Sequence, residues 1–258
     1  MKIARYEHQG KLAYGILDES TEELVTLHGD PILGTIDSSD SRVALRDVRL
    51  LAPVIPRSKV VAFGRNYAEH AREHDSEVPA EPMMFLKPNT AIVGPDYPIV
   101  LPPQSQQVEH EVELAVVIGQ VARNVPAADA NQVIFGYTIA NDVTARDLQR
   151  SDGQWGRAKG FDTFCPLGPY IETEFNTDEG VIGCKVNGET RQLGNLNQME
   201  RTVATLVEFA SSVFTLLPGD VLLTGTPAGV GPLVDGDEVV CAIEGIGALR
   251  NPVTATAD

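Results

Sequence analysis

Apolar positions recur along this chain mostly with a period of two, the signature of β-strands, and only once with a clear helical period. Ile3-Ala4-Arg5-Tyr6, the break Gln9-Gly10-Lys11 and then Leu12-Ala13-Tyr14-Gly15-Ile16-Leu17 form a hairpin signal. The polar stretch from Thr35 to Ser41 reads as a loop, and Pro53 and Pro56 punctuate a connection. Val60-Val61-Ala62-Phe63-Gly64 follows as a buried strand. Further strands are expected at Val133–Ala140, at Val181–Val186 with an Asn187-Gly188 hairpin turn behind it, at Val221–Gly225, and at Glu238–Ile243, which closes the pattern. Val203, Leu206, Val207, Ala210, Val213 and Phe214 recur at helical spacing and predict one amphipathic helix ending before Pro218-Gly219. The pattern predicts a strand-rich α+β protein, with a small N-terminal β unit over residues 1–50 and a main domain over residues 51–258.

One strand candidate breaks the apolar pattern. In Glu109-His110-Glu111-Val112-Glu113-Leu114-Ala115-Val116-Val117-Ile118-Gly119, alternation places Glu111 and Glu113 on one face and Val112 and Leu114 on the other. Burying a carboxylate is costly unless something neutralises it. Two of them leading into an apolar run point to a shared cation, and oxygen-only ligation favours Mg²⁺ or Mn²⁺ over Zn²⁺. The competing reading is an edge strand that shows its glutamates to water.

Composition narrows the partners. Among 258 residues, 36 acidic and 20 basic side chains leave a net charge of −16, a field that repels phosphate backbones and argues against nucleic acid. An anionic substrate would need a cation and local Arg or Lys to reverse that sign. No apolar run approaches the ~20 residues of a membrane span, and Met1-Lys2-Ile3-Ala4-Arg5-Tyr6 lacks the apolar core of a signal peptide. Cys165, Cys184 and Cys241 are odd in number and widely spaced, unlike a disulfide framework or a zinc site. The expected location is the cytoplasm.

Four further segments carry candidate chemistry. In Asn141-Asp142-Val143-Thr144-Ala145-Arg146-Asp147-Leu148-Gln149, Asp142 stands either as a third carboxylate for the cation or as a helix cap. Arg146 and Gln149, three apart, share a face suited to a substrate carboxylate or carbonyl. Lys159, in Arg157-Ala158-Lys159-Gly160-Phe161-Asp162, is either an oxyanion-stabilising cation or a solvated surface lysine. Gly225-Thr226-Pro227-Ala228-Gly229-Val230-Gly231 matches neither the P-loop nor the dinucleotide fingerprint, but its glycines would let main-chain N–H groups and the Thr226 hydroxyl approach a ligand. The fourth is Asn66-Tyr67-Ala68-Glu69-His70-Ala71-Arg72-Glu73-His74, where Asn66 and Glu69 fit a capping box. His70, Glu73 and His74 there match the H-x-x-E-H zinc peptidase pattern. Alternatively, His70 and Glu73 form a dyad in which the carboxylate orients the imidazole as general base. The segment Val78-Pro79-Ala80-Glu81-Pro82 that follows reads as a lid.

Taken in order, several motifs resemble the fumarylacetoacetate hydrolase family. They are Gly64-Arg65-Asn66-Tyr67, His70-x-x-Glu73, Phe85-Leu86-Lys87-Pro88, His110-Glu111-Val112-Glu113-Leu114, Asn141 to Asp147, Lys159 to Asp162, and Leu223-Thr224-Gly225-Thr226-Pro227-x-Gly229-Val230-Gly231. The likeness runs from about Val60 to near the C-terminus. It implies a mixed β-sandwich roll, a homodimer, and Mg²⁺ or Mn²⁺ held by Glu111, Glu113 and Asp142. It also implies substrate contacts from Arg65, Arg146, Gln149, Lys159 and Thr226, and a His70–Glu73 pair on a lid helix. The implied activity is that of a metal-dependent enzyme on small 2-oxo or acylpyruvate-type acids, by C–C hydrolysis or decarboxylation. Alternatives are an isomerase of 2-hydroxy-diene-dioates on the same site, a zinc peptidase, or an acidic binding protein without turnover.

Overall fold

The hydrophobic run behind Glu111 and Glu113 becomes the central strand Val112–Ile118, every residue of it buried. A computed structural model of the protein describes residues 1–73 and 75–255. Val112–Ile118 pairs with Ile134–Asn141 on one side and with Val221–Leu223 on the other. Its two faces serve two cores. Val112, Leu114, Val116 and Ile118 pack with Ile182, Cys184, Val239 and Cys241, whereas Ala115 and Val117 pack with Val60, Ala62, Leu167 and Leu223. Burial on both faces is why this run shows no polar alternation beyond its start.

The strand belongs to a twelve-stranded mixed sheet. Along it lie Ser38–Ala44, Glu23–Leu27, Lys11–Asp18, Lys2–His8, Cys165–Glu172, Ile134–Asn141, Val112–Ile118, Val221–Leu223, Val60–Gly64 and Met83–Lys87. Most neighbours are antiparallel, but Val221–Leu223 runs parallel to Val60–Gly64. A five-stranded sheet of Glu189–Asn195, Val181–Val186, Glu238–Ile243, Gly247–Ala255 and Ile99–Leu101 covers one face and shares the larger core. The architecture is the expected strand-rich α+β sandwich roll.

Local sequence accounts for the turns. Lys2–His8 and Lys11–Asp18 pair with His8 opposite Lys11, and the two loop residues, Gln9 and Gly10, have φ of 51° and 77°. Asn187 and Gly188, at 53° and 81°, repeat this between Val181–Val186 and the strand Glu189–Asn195. Both are the left-handed pairs that hairpins favour, because their twist matches that of the flanking strands. The amphipathic helix is Val203–Val213, and the Thr202 hydroxyl caps it by accepting from the Thr205 N–H.

Four expectations need correction. Ser38–Ala44 is a strand, not part of a loop; as an edge strand it is solvated on most of its length, so no apolar alternation marks it. The segment around Glu111 is not one strand. Val108–His110 pairs with Thr144–Ala145 and Gly231–Pro232 in a three-stranded sheet, and the chain changes sheets at Glu111. Asn66 caps no helix: its amide donates to the carbonyls of Arg201 and Thr224 and accepts from the Arg201 N–H. The strand pattern does not close at Ile243, since Gly247–Ala255 adds one more.

Candidate active site

The switch of sheets at Glu111 brings three carboxylates together. Glu111 sits at the break, Glu113 faces the same way two residues on, and Asp142 follows the partner strand Ile134–Asn141. The Asp142 N–H donates to the Glu111 carbonyl at 2.8 Å, and the Glu111 N–H donates to Asn141 Oδ1 at 2.9 Å. Ligand oxygens of Glu111, Glu113 and Asp142 lie within 4.8 Å of one another, and all three residues are at least 97% buried. The two-glutamate face is therefore turned inward, and Asp142 is not a helix cap; the helix Arg146–Asp152 begins four residues later, after Ala145.

Cations converge on this cluster. Lys159, from the short helix Gly156–Gly160, donates to Glu111 at 2.7 Å and to Asp142 at 2.6 Å, and is itself 2% exposed. Its ammonium also lies 5.2 Å from the Phe85 ring centre and 6.0 Å from that of Trp155. Lys87, buried at the end of Met83–Lys87, donates to the other Asp142 oxygen. Arg146 donates to Glu111, to Glu109 at 2.7 Å and to Gln149 at 2.6 Å.

These charges set the protonation of the cluster. Burial pushes the Glu111 carboxyl up, but Lys159 and Arg146 outweigh it and hold the group well below the ordinary carboxylate range. Glu113 goes the other way: burial first, then Asp142 and Glu111, raise it well above that range. Among the described residues its one hydrogen-bond partner is the Gly225 N–H, at 2.7 Å. A buried carboxylate crowded by two others, with a single main-chain donor, is a position that a cation would relieve. The all-oxygen donor set fits a hard divalent ion.

A cleft of about 470 Å³ opens over the cluster, lined by Arg65, His70, Arg146, Gln149, Lys159 and Thr226 besides the three carboxylates. All ten residues picked from the sequence are thus in or against one site. Glu73 stands just behind His70, with its Oε2 3.5 Å from His70 Nδ1, and it accepts from the Gly229 N–H at 3.2 Å. The helix Ala68–Glu73 is thereby tied to the glycine-rich turn. His74 lies outside the described residues. In the segment expected to form a lid, the carbonyls of Pro79 and Ala80 accept from Arg201.

Several contributors had no role assigned from the sequence. Trp155 lines the cleft, Lys87 and Glu109 brace Asp142 and Arg146, and Gln192 contacts Thr226. Arg146 also differs from expectation: three protein partners occupy its guanidinium, so it acts as much as a brace as a free cation.

Residues 59–254 match the family model "Fumarylacetoacetate (FAA) hydrolase C-terminal", and residues 1–53 match "Rv2993c-like, N-terminal". A 5-carboxymethyl-2-hydroxymuconate delta-isomerase from Mycobacterium smegmatis is 47% identical, with a TM-score of 0.93 over 99% of this chain and 100% of that one. The mitochondrial oxaloacetate tautomerase FAHD2A of Bos taurus is 48% identical over 219 residues, 80% of this chain and 70% of the relative. A fumarylpyruvate hydrolase from Pseudomonas aeruginosa, solved with Mn²⁺ and pyruvate, is 33% identical with a TM-score of 0.74 over 84% of this chain and 93% of that one. With the family model spanning most of the chain and the acidic triad set among its lysines and arginine, the chain belongs to the fumarylacetoacetate hydrolase family of enzymes.

Proposed function

We propose that the protein is a Mg²⁺- or Mn²⁺-dependent enzyme that acts on small 2-oxo or acylpyruvate-type acids by C–C bond hydrolysis or decarboxylation. The observation that carries this reading is that one cleft gathers three buried carboxylates and a set of hydrogen-bond donors. Glu111, Glu113 and Asp142 are the carboxylates, and Arg65, Lys159, Gln149 and Thr226 line the same cleft as a donor wall for a ligand. Gln149 faces Arg146 with its oxygen, since a guanidinium only donates, and its NH₂ group is thereby turned into a donor for the ligand. Such a wall suits the carboxylate and oxo oxygens of a keto acid and reverses locally the field of a chain with net charge −16.

Glu111, Glu113 and Asp142 would hold the divalent ion, which would supply Lewis-acid polarisation of the acid's carboxylate and 2-oxo oxygens. Lys159, with Arg65 and Gln149, holds those oxygens and balances negative charge that builds on them. Glu73 orients His70 through Nδ1, leaving Nε2 to take a proton from the water that attacks the distal carbonyl. The segment from Val78 to Pro82 keeps bulk water out once the substrate is bound. We infer a homodimer and a cytoplasmic location, the former open to light scattering on the purified chain.

Isomerisation is the second reading, favoured by the isomerase and tautomerase among the similar proteins. There His70 would move a proton between carbon and oxygen, with no water consumed. Mass spectrometry separates the two, because isomerisation conserves mass. Stripping metal with EDTA is expected to abolish turnover of acylpyruvates and oxaloacetate, and Mn²⁺ to restore it; undiminished turnover by stripped protein would overturn the reading. His70→Ala should retain Mn²⁺ binding while hydrolysis falls by roughly 10²–10⁴-fold, measured by loss of substrate absorbance.

A further inference from the structure

Gln192, wholly buried on the strand Glu189–Asn195, makes hydrogen bonds with both ends of its amide. Oε1 accepts from the Val112 N–H at 3.1 Å and lies 3.0 Å from His110 Nδ1. Nε2 donates to the Pro227 carbonyl at 2.7 Å and to Thr226 Oγ1 at 2.7 Å. The two main-chain groups fix which end is which. A peptide N–H only donates, so it must meet the oxygen; a carbonyl only accepts, so it must meet the NH₂ group.

Two proton positions follow. His110 must carry a hydrogen on Nδ1, because it faces an oxygen that has no proton to give. Thr226 must accept from Gln192, and a hydroxyl that already receives an amide N–H turns its own single proton elsewhere. Among the described residues no group accepts that proton, and Thr226 lines the cleft at 2% exposure. Left without Gln192, the hydroxyl could direct its proton to the Pro227 carbonyl and meet a ligand with lone pairs instead.

We propose that Gln192 is a positioning residue that makes Thr226 an obligate hydrogen-bond donor toward an anionic oxygen in the cleft, with His110 and Val112 holding Gln192 in that orientation. The proposal rests on the oxo-acid reading for its ligand but not for its geometry. It fixes the polarity of one member of that donor wall, Thr226, from a residue 34 positions earlier in the chain.

The first test uses the unaltered protein. Neutron diffraction from crystals exchanged into D₂O is expected to show deuterium on His110 Nδ1 and the Thr226 hydroxyl deuterium turned away from Gln192. A hydroxyl deuterium bonded to Thr226 Oγ1 and aimed at Gln192, in place of a deuterium bonded to Gln192 Nε2, would overturn the proposal. The second test titrates oxalate, a dianionic probe, into Mn²⁺-loaded protein. Gln192→Glu should weaken oxalate roughly 10–100-fold, the range of a hydrogen bond to a charged group, and should add no loss in a Thr226→Val background. Equal weakening in both backgrounds would mark Gln192 as a structural brace and sink the idea. Failure of oxalate to bind the unaltered, Mn²⁺-loaded protein would count against the oxo-acid reading instead, with the deuterium positions still judging Gln192.

Discussion

Lys87 gains its role from a partner 55 residues away, the Asp142 carboxylate, whose other oxygen is held by Lys159. Removing one member of a buried ion pair usually costs about 3–5 kcal/mol. Lys87→Met should fall at the low end, about 3 kcal/mol by urea denaturation, because Lys159 still compensates Asp142. The same change withdraws a positive charge from beside the proposed cation position, so calorimetry should find Mn²⁺ bound more tightly, not less. In sequence, Glu111, Glu113 and Asp142 could be found because acidic residues interrupted or ended apolar runs. Lys87 stood in one of the quoted motifs but without a role, because a lysine ending Met83–Lys87 looks like any strand terminus that reaches water. Glu109 and Gln192 were hidden for the same reason. Each is polar in a way that local pattern allows, and only the tertiary partner reveals that it is buried.

Among the elements, those with their own local chemistry were readable. Two left-handed turn pairs fixed the hairpins, a threonine cap and apolar spacing fixed Val203–Val213, and largely apolar runs gave the central strands. Elements held by their neighbours were not. Gly247–Ala255 buries Leu249, Asn251 and Val253 on one face, but the middle member is polar, satisfied by the carbonyls of Gly94 and Tyr97, and breaks the alternation. The glycine-rich turn lies between these cases. Gly225 has φ of 97°, and a Cβ there would come within 2.8 Å of Asn66 Cβ. Both the backbone conformation and the space demand glycine. Gly225→Ala is expected to cost about 1–3 kcal/mol by thermal denaturation. Because the Gly225 N–H holds Glu113, Mn²⁺ affinity should fall as well. An alanine variant with unchanged melting and unchanged affinity would mean that the turn is not tied to the carboxylate cluster.

Across the whole molecule, the N-terminal strands do not stand apart. Lys2–His8 pairs with Cys165–Glu172, so that hairpin and Ile134–Asn141, which leads to Asp142, share one sheet. The change of sheet at Glu111 has a mechanical corollary. Two carboxylates of the triad, Glu111 and Asp142, sit where the chain crosses between the three-stranded and twelve-stranded sheets, and Glu113 belongs to the larger one. A cation bridging them would rivet the seam. Such an ion binds only the assembled form, so it should add about 2.7 kcal/mol at a hundredfold excess over its dissociation constant. Melting followed by calorimetry should climb with Mn²⁺ concentration and stay flat in Glu113→Ala. Amide exchange from Val108 to Val112 should slow in step, making the opening rate of one joint a gauge of cofactor occupancy.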